Sequence, residues 1–150
     1  TAVLLVNGYS GLGLHSLFNI FRIFGDTFKN YVFLQIGIID AGVFKGVQEL
    51  EELENKMQTD IEKYKQILNS RGYYAESFST TGLDVVESLD RLLPQITEKF
   101  PHSIFFGGQI VFKEEKLFSR WLHNHTVFAV QRKLYHEGIQ FMILPIRVDN

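Results

Sequence analysis

Residues 2–24 begin Ala2-Val3-Leu4-Leu5-Val6-Asn7-Gly8-Tyr9-Ser10-Gly11-Leu12-Gly13 and continue as Leu14-His15-Ser16-Leu17-Phe18-Asn19-Ile20-Phe21-Arg22-Ile23-Phe24. An apolar run, Ala2 to Val6, ends at a glycine-rich turn, and from Leu14 to Phe24 apolar residues recur at helical spacing. Strand, glycine turn, helix is the opening unit of an α/β fold. Val3-Leu4-Leu5-Val6 shows no polar alternation, which is the pattern of a strand covered on both faces. Helices must then lie on both sides of the sheet.

The rest of the chain repeats this unit. Four more β-branched and aromatic runs read as strands: Tyr31 to Ile39, Tyr73 to Phe78, Ser103 to Phe106, and Phe141 to Val148. Between them, Val47 to Ser70 carries Leu50, Leu53, Met57, Ile61, Tyr64, Ile67 and Leu68 three or four apart and ends at Arg71-Gly72, a basic residue and a left-handed cap. A third helix is predicted from Asp84 to about Phe100 and a fourth from about Glu115 to His136, stopped by Gly138. Pro94 falls inside the third, where it is expected to kink or split it. The expectation is one α/β domain over residues 1–150, a three-layer sandwich around a five-stranded, mainly parallel, Rossmann-like sheet.

Composition narrows the function classes. Hydrophobic residues make up 45% and charged residues 21%, an ordinary globular balance. Fifteen basic against seventeen acidic side chains leave a formal charge of -2, so no general field draws nucleic acid. With no cysteine, disulfides, thiolate metal sites and cysteine nucleophiles are excluded, and a reducing compartment is the default. No run approaches the roughly 20 apolar residues of a membrane-spanning helix.

Three segments are placed where such folds do chemistry, at the carboxyl ends of strands. In the first turn, Gly8, Ser10, Gly11 and Gly13 are expected to let the backbone approach a ligand and present free amides at a helix N-terminus, as in phosphate cradles. The spacing is G-x-x-G-x-G, not the dinucleotide fingerprint G-x-G-x-x-G, and the lysine of an ATPase phosphate loop is missing. The same glycines would equally serve a tight strand-to-helix turn. Asp40 closes the second strand, where a dinucleotide-binding domain holds a ribose hydroxyl, although Ala41-Gly42 after it equally suits an acid that bonds its own turn. Gly107-Gly108-Gln109 follows the fourth predicted strand and would face the first turn across one crevice.

Catalysis and metal binding find little to stand on. His123 and His125 are two apart on a helix and face different ways, whereas a metal pair needs i, i+4 spacing. Ser10 lies outside any G-x-S-x-G elbow, so a hydrolase using Ser10 or His15 has only proximity in its favour.

Apolar surface is in excess on two helices. Between Leu14 and Phe24 seven of eleven positions are apolar, more than a stripe of about 100° needs, and Leu117, Phe118, Trp121, Leu122, Val127, Phe128, Val130 and Leu134 repeat the theme. The surplus points either to a dimer or domain contact or to a wide stripe under a long loop. Ile20, Ile23, Phe24, Trp121 and Phe128 are the candidate interface residues.

Several stretches together resemble the C-terminal cytoplasmic tails of bacterial and archaeal permeases of the amino acid, polyamine and organocation superfamily. They are Leu4-Leu5-Val6-Asn7-Gly8-Tyr9-Ser10-Gly11-Leu12-Gly13-Leu14-His15, Phe44-Lys45-Gly46-Val47, Phe105-Phe106-Gly107-Gly108-Gln109, Trp121-Leu122-His123-Asn124-His125-Thr126 with Gln131-Arg132, and Met142-Ile143-Leu144-Pro145-Ile146-Arg147-Val148. The resemblance implies a membrane transport domain before Thr1, a place on the cytoplasmic face of the membrane, and a regulatory or assembly role without catalysis or cofactor. It also implies the transport domain and a second copy as partners. The topology is similar to that of universal stress proteins as well, whose ATP-binding members carry glycines after the fourth strand and a Gly-Ser at the next helix. The corresponding stretch here, Asn124-His125-Thr126, lacks that glycine. Tails of cation-chloride cotransporters resemble this architecture too, and they are dimeric. A nucleotide-sensing module of the stress-protein kind, using the first turn, Asp40 and Gly107 to Gln109, is the alternative expectation.

Overall fold

The structure, a computed structural model, describes residues 1–112 and 117–148, with the backbone alone at 112, over 117–125 and at 148. Five strands, β1 (Ala2–Val6), β2 (Asn30–Ile38), β3 (Tyr74–Gly82), β4 (Ile104–Phe112) and β5 (Phe141–Val148), alternate with helices α1 (Gly11–Phe24), α2 (Val47–Asn69), α3 (Val85–Lys99) and α4 (Leu117–His136). They form one sheet in the order β3-β2-β1-β4-β5, and every adjacent pair is parallel. α1 and α2 cover one face, over Leu4, Phe33 and Phe106; α3 and α4 cover the other, over Val3, Val32 and Phe105. Neighbours along a strand feed opposite cores, which is why β1 and β2 carry unbroken apolar runs.

Helix ends follow from local chemistry. Ser10 caps α1, its Oγ accepting from Gly13 N at 3.2 Å. Asp84 caps α3 through Glu87 N at 2.9 Å. Gly72 (φ 80°) after α2 and Gly138 (φ 72°) after α4 close paired hydrogen bonds back to the last turn, Tyr73 N to Leu68 O and Ile139 N to Leu134 O. Left-handed backbone at these two positions is open to glycine at little cost.

Four expectations need correction. Gly107-Gly108-Gln109 does not follow the fourth strand; it lies within β4, which runs on to Phe112 in register with β5. Glycine disfavours strands for want of a side chain, but here its bareness is used, since a Cβ on Gly107 would stand 2.7 Å from Val127 and Phe141, and one on Gly108 would meet Ser16 and Leu12. Gly11 and Gly13 are not loop residues; both belong to the first turn of α1. Pro94 does not split α3, which is continuous. Pro94 and Asp90, four residues before it, are both exposed, so the carbonyl that loses its N–H partner faces water. Finally, Ile20 is fully buried (0%) and offers no outward surface, while Phe24 is half-buried, its ring packed on Phe28 and Phe106 at 5.3 and 5.5 Å. The inward face of α1 is marked by the small residues Gly13 and Ser16 as well as Leu17 and Ile20, with Leu14, Phe21 and Phe24 packed at its edge. Ile23 (56% exposed) and Phe128 (43%) do point outward. The Trp121 side chain and the predicted start of the fourth helix at Glu115 lie outside the described residues.

Candidate functional site

β1 pairs with β4 only from Ala2–Leu4 opposite 104–106; from Gly107 onward β4 has β5 alone for a neighbour. Here the winding of the chain reverses, β1 to β2 to β3 one way and β4 to β5 the other, so helices leave for opposite faces and a gap opens between carboxyl ends. A crevice of about 730 Å³ occupies the gap. Its polar wall is the turn after β1 and the inner edge of α2; its apolar walls include Leu53, Met57, Val85 and Val127.

The turn is held by two side chains that arrive from other elements. Tyr64 of α2 is fully buried and stacked on Phe33 at 4.8 Å. Its hydroxyl donates to Gly8 O at 3.0 Å and accepts from Ser10 N at 3.3 Å. That hydroxyl occupies the space where a Cβ on Gly13 would project. Gln35 of β2 is also buried, and the amide orientation that satisfies both its ends accepts from Gly8 N at 3.2 Å and donates to Met57 O at 3.3 Å. Gly8 itself has φ 71°. Burial pushes the Tyr64 phenol above its ordinary range, the hydrogen bonds with Ser10 oppose that, and the nearby Tyr9 and Asp60 add to it.

The expected free amides are thus largely spoken for, with Gly8 N on Gln35, Ser10 N on Tyr64 and Gly13 N on the Ser10 side chain. Beside the turn stands a carboxylate. Asp60 is 8% exposed, its Oδ1 is 3.2 Å from Lys63 Nζ, and its Oδ2 lies 3.2 Å from where a Cβ on Gly8 would be. Lys56, one helical turn earlier, lines the same wall.

Of the residues singled out from sequence, Gly8, Ser10, Gly13, Gly107 and Gly108 line this crevice together. Gly11, Asp40 and Gln109 do not. Gly11 is exposed on α1, and Asp40 spends its Oδ1 on Gly42 N at 2.9 Å in its own turn. Gln109 sits farther along β4, opposite Pro145. His15 is exposed on α1 and is not among the lining residues, so Ser10 and His15 form no pair at the site. Among the described residues no group of three or more histidines and carboxylates is placed to hold a metal ion; the side chains of His123 and His125 lie outside them. Nor is any described helix long and apolar enough to cross a membrane.

Sequence reasoning missed Gln35, Asp60 and the second role of Tyr64. A signal existed for each. Gln35 is the polar interruption of the run Tyr31 to Ile38, and helical spacing puts Asp60 on the same stripe as Met57, Ile61 and Tyr64.

The fold is a five-stranded, all-parallel α/β sandwich like that of universal stress proteins. In particular, the chain is similar to the structure described as "Crystal structure of a protein from the universal stress protein family from Burkholderia pseudomallei", with a TM-score of 0.62 over 96% of each chain. Sequence identity is 15%, so the likeness is one of fold. Five solved chains match in all. No family model matches the sequence, and no curated protein does. These findings support the stress-protein-like topology and give no support to the permease resemblance.

Proposed function

We propose that this chain is a non-catalytic ligand-sensing module of the universal-stress-protein type, taking a molecule of the nucleoside or nucleotide class in the crevice between β1 and β4. The observation that carries the reading is a crevice of about 730 Å³ at the switch point, whose polar wall is pinned by Tyr64 and Gln35 from two different elements. A preformed wall of this kind spends little ordering energy when a ligand enters. Ser10, the nearest hydroxyl that a hydrolase would use, is engaged as a helix cap, and this supports a sensing role over catalysis. Thermal melting against adenosine, AMP, ATP, NAD and cyclic nucleotides tests the proposal. A ligand bound only by the folded state stabilises it by about 2.7 kcal/mol at a hundredfold excess over Kd. At least one member of the panel is expected to raise Tm, and a flat panel overturns the reading.

The exposed side chains of Ile23 and Phe128 favour a second reading, a regulatory domain that pairs with itself or docks on a permease at the cytoplasmic face of the membrane. Sedimentation at rising concentration should then reveal a dimer that Ile23→Glu dissociates. A strict monomer, from a gene that encodes no membrane helices, removes it.

A further inference from the structure

Building on that sensing role, we infer that the crevice rejects phosphate and selects an unphosphorylated ligand of the nucleoside class, one whose hydroxyl hydrogens are received by Asp60. Phosphate cradles in α/β folds work because consecutive backbone N–H groups converge on the anion at a helix N-terminus. In this turn three such groups already have partners within the chain: Gln35 for Gly8, the Tyr64 hydroxyl for Ser10, and the Ser10 side chain for Gly13. An incoming phosphate would have to displace them, leaving the buried Gln35 side-chain oxygen without a donor and the Tyr64 hydroxyl with Gly8 O alone.

The charges of the wall point the same way. Asp60 stands against Gly8, where a phosphate would have to sit to reach the turn, and it is nearly buried, so its field is poorly screened. One of its oxygens faces Lys63, whose side chain is 47% exposed; among the described residues Oδ2 has no hydrogen-bond partner. A carboxylate oxygen with free acceptor capacity at the edge of a cavity suits a vicinal diol or another hydroxyl donor. Lys56, one turn away on the same wall, is exposed, so water and salt screen its charge far more than that of the nearly buried Asp60. Leu53, Met57, Val85 and Val127 supply apolar surface for a planar ring, and about 730 Å³ leaves room for a base and its sugar.

Calorimetric titration of the full chain with adenosine, AMP and ATP decides the matter. Wild type is expected to bind adenosine at least about tenfold more tightly than either nucleotide, and Asp60→Asn to weaken adenosine about tenfold and narrow that preference. Glu98→Gln, at an exposed position of α3 away from the crevice, should leave adenosine affinity within about twofold. AMP or ATP binding wild type as tightly as adenosine does would overturn the inference while leaving the sensing role intact. Unchanged adenosine affinity in Asp60→Asn has the same consequence, as does a loss in Glu98→Gln equal to that in Asp60→Asn. Silence from all three probes, joined by NAD and cyclic nucleotides, would remove the sensing role itself. The comparison of probes on wild type needs no variant to fold.

Discussion

Gly11 and Gly13 stand in the same turn of α1 and answer to different forces. Gly11 is exposed, and a Cβ there would meet nothing within 4 Å, so Gly11→Ala should show the ordinary helix gain of about 0.5–1 kcal/mol. Gly13 is buried against the Tyr64 hydroxyl. There the same gain is outweighed by the collision, and Gly13→Ala is expected to lose about 1–3 kcal/mol. Urea unfolding of the two variants checks the prediction, which fails if both move in the same direction. Removing the hydroxyl is the complementary change. Tyr64→Phe strands Gly8 O and Ser10 N, at an expected cost of about 1–3 kcal/mol, with faster hydrogen exchange at the Ser10 amide as its local signature. The glycines were legible in the sequence as punctuation, but what they make room for was not. Tyr64 reads there as one more member of an apolar stripe, and only the packing of α2 brings its hydroxyl to the turn.

Elements were read more securely than their ends. Five strands and four helices follow from apolar runs and helical spacing, because a strand covered on both faces and a helix covered on one leave different periods in the chain. β4 was cut short at Phe106 because Gly107-Gly108 resembles a turn until the helices on either face are in place, Ser16 and Leu12 of α1 pressing on Gly108 and Val127 of α4 on Gly107. Ile20 stands among the interface candidates for a related reason: where a helix lies close to a sheet, its innermost residues include small ones such as Gly13 and Ser16, and a hydrophobicity count ranks their face low. Pro94 shows the opposite error, a breaker given too much weight. Its ring lies on the exposed side of α3, where the carbonyl that loses its hydrogen bond is within reach of solvent. Pro94→Ala should restore that bond and raise stability by about 1–2 kcal/mol, the helical gain exceeding the entropy that proline removes from the unfolded chain. A lower urea midpoint for this variant would mean that α3 needs the proline.

For the molecule as a whole, the two faces of the sheet differ in kind. The core under α3 and α4 is largely aliphatic, while the core on the side of α1 and α2 holds Phe21, Phe24, Phe28, Phe33 and Phe106, with Tyr31 edge-on to Phe21 and Phe28. Tyr31 is 1% exposed, and its hydroxyl has no hydrogen-bond partner among the described residues. Burial first, then the nearby Tyr73 and Asp26, pushes its pKa up to about 12 from an ordinary 10.0. Tyr31→Phe deletes a stranded hydroxyl and keeps the ring, so stability near neutral pH should rise by about 1–2 kcal/mol. The pH dependence is a sharper test. Between pH 10 and 12 the unfolded chain loses the Tyr31 proton while the folded chain keeps it, so the unfolded state binds fewer protons and wild-type stability falls as pH rises. The variant lacks that share of the loss, although Tyr64, Tyr73 and Tyr74, also raised, still contribute theirs. The stability gap between Tyr31→Phe and wild type, followed by urea unfolding at successive pH values, should therefore widen above pH 10. A gap that stays constant would mean that the hydroxyl finds a partner in solution and that this face of the core is more open than its packing indicates.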